Sequence, residues 1–127
     1  MLPTLLEKSM ANHPLNLAIR ALLELVALIV FAMWGWRHGG VLPAIALPLL
    51  AASAWGVFRV PNDGGTPVVR VSGLVRLLLE AVFFSAAVAA AADHWSPAIG
   101  AQLAGAVIAH YALSYDRVLR LLKGNAA

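Results

Sequence analysis

No cysteine occurs in the 127 residues, which excludes disulfides, thiolate metal sites and cysteine nucleophiles. Charge is scarce as well. Asp, Glu, Lys and Arg make up 12% of the chain, against about a quarter in soluble domains, and too little polar sequence remains for an extra soluble domain. Catalytic signatures are missing too: no HExxH, no glycine-rich phosphate loop, and no Ser/His/Asp order in a motif context. The chain is therefore expected not to be an enzyme. His38 and His94 are the one pair a bis-His haem could use, and both fall in turns, so neither a cofactor nor a metal is expected.

What is present is apolar. Hydrophobic residues make up 61% of the chain, and the mean hydropathy is +0.82. At about 20 apolar residues per spanning helix, the length admits four helices and short connections. The expectation is an all-α fold, an integral membrane four-helix bundle. Its parts are an amino-terminal cytoplasmic or interfacial segment over 1–14, a transmembrane domain over 15–118 and a basic tail over 119–127.

Along the chain, Thr4-Leu5-Leu6-Glu7 reads as a capping box on a short amphipathic turn. The first span is expected at 15–36, with Pro14 in its first turn and Asn12 or His13 as cap. A turn at Arg37-His38-Gly39-Gly40 leads to a second span at 42–58, which Pro48 should kink. The substantial loop is 59–71, rich in Pro, Gly and Asn. A third span follows at 72–92, a turn at Asp93 to Pro97, and a fourth span at 98–116. Small residues at Ala101, Gly105 and Ala109, and through Ala86 to Ala92, should permit close helix contact. Trp34, Trp36 and Trp95 form an outer aromatic belt.

Orientation follows from where the cations fall. Lys8, Arg59, Arg70, Arg117, Arg120 and Lys123 lie on one side of this arrangement and Arg37 alone on the other. Such a bias puts both termini in the cytoplasm. Net charge of +3 is thus accounted for by the membrane, and no nucleic-acid partner is expected. The expected partners are the lipid bilayer and either further copies of the chain or another membrane protein.

Two charged pairs interrupt the apolar runs: Arg20 with Glu24, and Arg76 with Glu80, an offset of 56 residues. Val26 and Val82, and His38 and His94, match at the same offset. The halves therefore read as two parallel helix-hairpin repeats. An ionised side chain near the centre of a membrane helix costs about 2.5 to 3.5 kcal/mol, so these four should face the bundle interior. Arg four residues before Glu is the weaker order for a pair within one helix. Cross-helix pairing is expected instead, Arg20 with Glu80 and Arg76 with Glu24, as a symmetric quartet. His110 and Tyr111 fall at the depth of the carboxylates, and Ser114 and Trp55 at that of the arginines. Asn16 and Ser72, each four residues before an arginine, complete the candidate cluster.

The chain resembles the YrdB-like family of small bacterial membrane proteins, a domain of unknown function. The likeness rests on Asn16-x-x-x-Arg20-x-Leu22-Leu23-Glu24-Leu25, on Trp34-Gly35-Trp36, on Pro48 followed by Trp55-Gly56-x-Phe58-x-x-Pro61, and on Arg76-x-x-x-Glu80 with Phe83 and Phe84. It covers roughly residues 15 to 115. The resemblance implies about four spans in a bacterial inner membrane and no established activity. Two functions remain open on these residues. One is a structural or accessory protein locked by its Arg/Glu quartet; the other is a small transporter or channel using Glu24 and Glu80 for protons or cations.

Overall fold

The computed structural model describes residues 14–59 and 69–123. Expectations for the first 13 residues, including the capping box and the Asn12 or His13 cap, lie outside them, as do those for 60–68 and 124–127. Five helices make up the rest: α1 Pro14–Gly39, α2 Val41–Val57, α3 Gly73–His94, α4 Pro97–Leu113 and α5 Tyr115–Leu122. Phe58–Arg59 (β1) and Val69–Arg70 (β2) add a two-residue parallel pairing, Phe58 opposite Val69. The all-α expectation holds. Both α1 and α3 are long and apolar enough to cross a membrane, whereas α2 and α4 are apolar but shorter.

Local chemistry sets the boundaries. Ser72 Oγ accepts from Val75 N and Ser96 Oγ from Ile99 N, each at 3.2 Å, and Pro97 takes a first-turn position where no N–H is needed. Gly40, at φ 78°, makes the left-handed step between α1 and α2. Through Pro48, α2 runs on as one helix.

The two long helices are the centre. Leu23, Ala27 and Val30 of α1 are buried against Phe83, Phe84, Ala87, Ala90 and Ala91 of α3. Phe31 and Phe83 meet edge to face with ring centroids 5.6 Å apart. No residue of α2 is buried, and α4 buries only Gly100 and His110. Each flanking helix is clamped at one end by a close approach: a Cβ on Gly35 would lie 2.6 Å from the Pro43 carbonyl, and one on Gly100 would lie 2.7 Å from Ala92 Cβ.

Two expectations are corrected here. Ala86 to Ala92 does supply packing, but Ala101, Gly105 and Ala109 face outward, and a Cβ on Gly105 would meet nothing within 4 Å. Their face is the one α4 turns away from α3, which it approaches through Gly100 instead. The expected fourth span and tail also divide differently. The chain breaks at Ser114 (φ −100°, ψ 25°), and 115–122 forms a separate helix that buries Arg117 and Leu121. Leu121 O packs directly on Gly73, where any side chain would collide with it.

Candidate functional site

The polar cluster is gathered on one residue. Glu80, 1% exposed, is carried on the buried face of α3 two turns from its start. Its Oε2 accepts from Arg76 Nε at 2.9 Å and from Arg117 Nη2 at 2.7 Å; its Oε1 accepts from Arg117 Nη1 at 2.9 Å and from the Tyr111 hydroxyl. Arg20 Nη2 stands 3.7 Å from Oε2. Three guanidiniums and a phenol, from α1, α3, α4 and α5, thus converge on a single carboxylate.

Arg76 has a second task. Its Nη1 donates to the carbonyls of Trp55 at 2.7 Å and Phe58 at 2.8 Å, which the end of α2 would otherwise leave without intrahelical partners. The Trp55 ring lies under this guanidinium, 4.3 Å from centroid to Cζ, and reaches Arg20 at 5.7 Å. Charge at α3 is thereby tied to the terminus of α2.

The symmetric quartet is corrected by this geometry. Arg20 does reach Glu80, but its hydrogen bond goes to Glu24 Oε1 at 3.2 Å within α1. Arg76 bonds Glu80 of its own helix, and among the described residues it makes no pair with Glu24. Cross-helix charge reaches Glu80 from Arg20, as expected, and most directly from Arg117. Its planar fork spans both oxygens of Glu80, a match that a single N–H from a neighbouring turn cannot provide.

The supporting residues separate. Asn16 Nδ2 donates to Ser114 Oγ at 2.7 Å, joining the start of α1 to the end of α4. His110 is buried against Tyr111, ring centroids 5.4 Å apart, and its Nδ1 has no hydrogen-bond partner among the described residues. Ser72 does not join the cluster; it caps α3. Arg117, expected among the cations beside the last span and not in the cluster, joins it through Glu80. His110, Ser114 and Arg117 share one helical side, and that spacing was the available signal.

At the opposite end a second group links the two hairpin turns. Asp93 Oδ2 accepts from Trp34 Nε1 at 2.9 Å and lies 3.1 Å from His38 Nε2, while Arg37 Nη1 donates to the carbonyls of Asp93 and His94 at 3.0 and 3.1 Å. The indole and imidazole hydrogen bonds hold the Asp93 carboxyl below its ordinary value. Trp34 therefore serves as a donor here, in addition to any belt role. Among the described residues, no group of three or more His, Asp and Glu side chains could hold a metal ion.

Beside the hub an open apolar groove of about 550 Å³ runs between α3 and α4, with Phe84, Val88 and Ile108 on its walls and Glu80 and Tyr111 at one end. With four hydrogen bonds from Arg76, Tyr111 and Arg117, the Glu80 carboxylate ties α3 to α4 and α5.

Among known proteins, residues 18–108 match a family described as "Protein of unknown function (DUF2568)". The uncharacterized protein YrdB of Bacillus subtilis (strain 168) is 32% identical over 114 residues, covering 84% of this chain and 93% of that protein. No solved structure matches.

Proposed function

The chain belongs to the YrdB-like family DUF2568, whose function is unknown, and on that premise we propose that it is a four-span membrane protein with a structural or accessory role. The observation that carries this reading is the saturation of Glu80 by Arg76, Arg117 and Tyr111, with Arg20 alongside. A carboxylate that handles protons or cations must exchange its partners. This one would have to break several charge-assisted bonds to do so, and removing one partner of such a buried pair costs about 3 to 5 kcal/mol in soluble proteins. No enzymatic chemistry is proposed, since the hub offers no nucleophile.

Four spans in a bacterial inner membrane account for the outward faces of α2 and α4. Leu42, Ile45, Leu49 and Leu50 on the first and Ile108 on the second are each more than half exposed, a surface suited to lipid. Both termini then lie in the cytoplasm, and α5 lies at the inner interface. Its Tyr115, Leu119 and Leu122 are exposed on one side, with the exposed Lys123 at its end suited to an anionic leaflet.

The transport reading keeps one support, the partly exposed Glu24, and the two readings separate in one assay. Purified protein is reconstituted into liposomes holding a pH-sensitive dye, and a proton or cation gradient is applied. The accessory role requires no flux above that of empty liposomes. Flux that disappears in Glu24→Gln would replace it with a carrier.

A further inference from the structure

Glu24 and Glu80 occupy the same position in two hairpins 56 residues apart, yet their surroundings differ. Around Glu80 stand Arg76 four residues earlier, Tyr111 on the second helix of the hairpin and Arg117 beyond it. At the same offset in sequence, the counterparts of these three are Arg20, Trp55 and Pro61, the last of which lies outside the described residues. The first donates to Glu24 Oε1 at 3.2 Å. The second turns its ring to the two arginines, and a proline side chain has no donor to give. Among the described residues, Glu24 Oε2 therefore accepts no hydrogen bond, and the side chain stays 26% exposed.

A carboxylate in an apolar medium is costly to leave with one donor. The completed site indicates what is missing: a guanidinium or ammonium arriving from outside the two central helices, as Arg117 arrives at Glu80. Approach is open, because Leu17 and Ala21, seven and three residues before Glu24 on the same helical side, are both exposed. Ala21 leaves room beside the carboxylate. Leu17 and Ala21, the exposed residues named on that side, are apolar, so a single cation would distinguish one membrane helix from another.

We infer that Glu24 is the docking point for an Arg or Lys side chain on a transmembrane helix of a partner protein. This rests on the accessory reading and gives it a partner chemistry. The partner's basic residue sits at the depth of Glu24, completes its hydrogen bonding through Oε2, and leaves Arg20 in place between Glu24 and Glu80. Partner contact at Glu24 is thereby one step from the hub.

The test uses the full chain in lipid vesicles and a synthetic Leu/Ala helix of about 20 residues bearing one Arg at the depth of Glu24. Control helices carry Leu or Gln at that place. Association is read by energy transfer between dyes on the helix and the protein. The Arg helix should bind about three- to tenfold more tightly than the Leu helix, the range of interhelical polar contacts, and Glu24→Gln should abolish the difference. Equal binding of the Arg and Leu helices, or a preference that survives Glu24→Gln, overturns the docking site. A pH-sensitive dye in the same vesicles separates this from the broader reading. A proton leak that needs Glu24 would overturn the accessory role, whereas no leak together with no Arg preference overturns the docking site alone.

Discussion

Arg117 lays both terminal nitrogens on Glu80, Nη1 on Oε1 at 2.9 Å and Nη2 on Oε2 at 2.7 Å, from a helix that begins only after the chain breaks at Ser114. The break makes the contact. Carried on the helix that follows this break, the Arg117 guanidinium faces α3.

The first prediction concerns that fork. Arg117→Gln leaves Glu80 short of its bidentate partner and should destabilise the chain by about 3 kcal/mol, the lower end for a broken buried pair because Arg76 remains. Arg117→Lys keeps the charge but loses the second parallel bond, so an intermediate loss is expected. Unfolding of both variants in a fixed detergent decides it. A lysine variant as stable as the parent would mean that charge alone, without the fork, holds α5.

Coupling should follow geometry. A double-mutant cycle between Arg117 and Glu80 is expected to give a coupling energy of about 1 kcal/mol or more, and one between Arg20 and Glu80, at 3.7 Å, clearly less. The order of the two is the prediction. Equal couplings would restore a symmetric charge cluster in which no arginine dominates.

How far this site could be read from the chain depends on what stood out against an apolar background. Arg20, Glu24, Arg76 and Glu80 did, and depth alone placed His110, Tyr111 and Ser114 beside them. Arg117 was hidden because it follows the last apolar run and is flanked by Asp116 and Arg120, which makes it look like part of a solvated tail. Ser114 gives no proline or glycine to announce the break. The quartet failed for a related reason: the 56-residue offset matches Glu24 with Glu80 in sequence, but the second hairpin is followed by α5, which folds back and puts Arg117 on Glu80. Ser72 and Asn16 show the limit of the spacing. Both precede an arginine by four residues, yet one caps α3 and the other bonds Ser114.

Glycines on this chain should divide sharply under the same substitution. Gly73→Ala places a methyl against the Leu121 carbonyl, backbone that cannot move aside, so α5 should be displaced and Arg117 drawn off Glu80. Gly105→Ala meets nothing and should be neutral or stabilise by up to about 1 kcal/mol through helix propensity. Thermal unfolding ranks the two, and limited trypsin cleavage after Arg117 or Arg120 reports α5 itself. Faster cleavage in Gly105→Ala than in Gly73→Ala would contradict the packing described for α5.

The last prediction concerns acid and the outer clasp. Asp93 is hydrogen-bonded by Trp34 and His38, and these bonds hold its carboxyl below the ordinary value. A group whose folded pKa is depressed adds stability above its unfolded pKa, about 3.9 for Asp, and loses that contribution as pH falls through the lower folded value. Stability of the parent should therefore decline as pH drops below about 4, in part through Asp93. Asp93→Asn removes the titrating group while keeping an acceptor for the indole, so this variant should start less stable at neutral pH and show a shallower acid limb. Trp34→Phe, which removes the largest cause of the shift, should make the limb smaller and end it at a higher pH, with its onset unchanged. Unfolding midpoints of the three proteins across pH 2.5 to 7, a window of about one and a half units below and three above the unfolded value, give the comparison. Parallel acid limbs in all three would show that the clasp contributes nothing to the pH dependence.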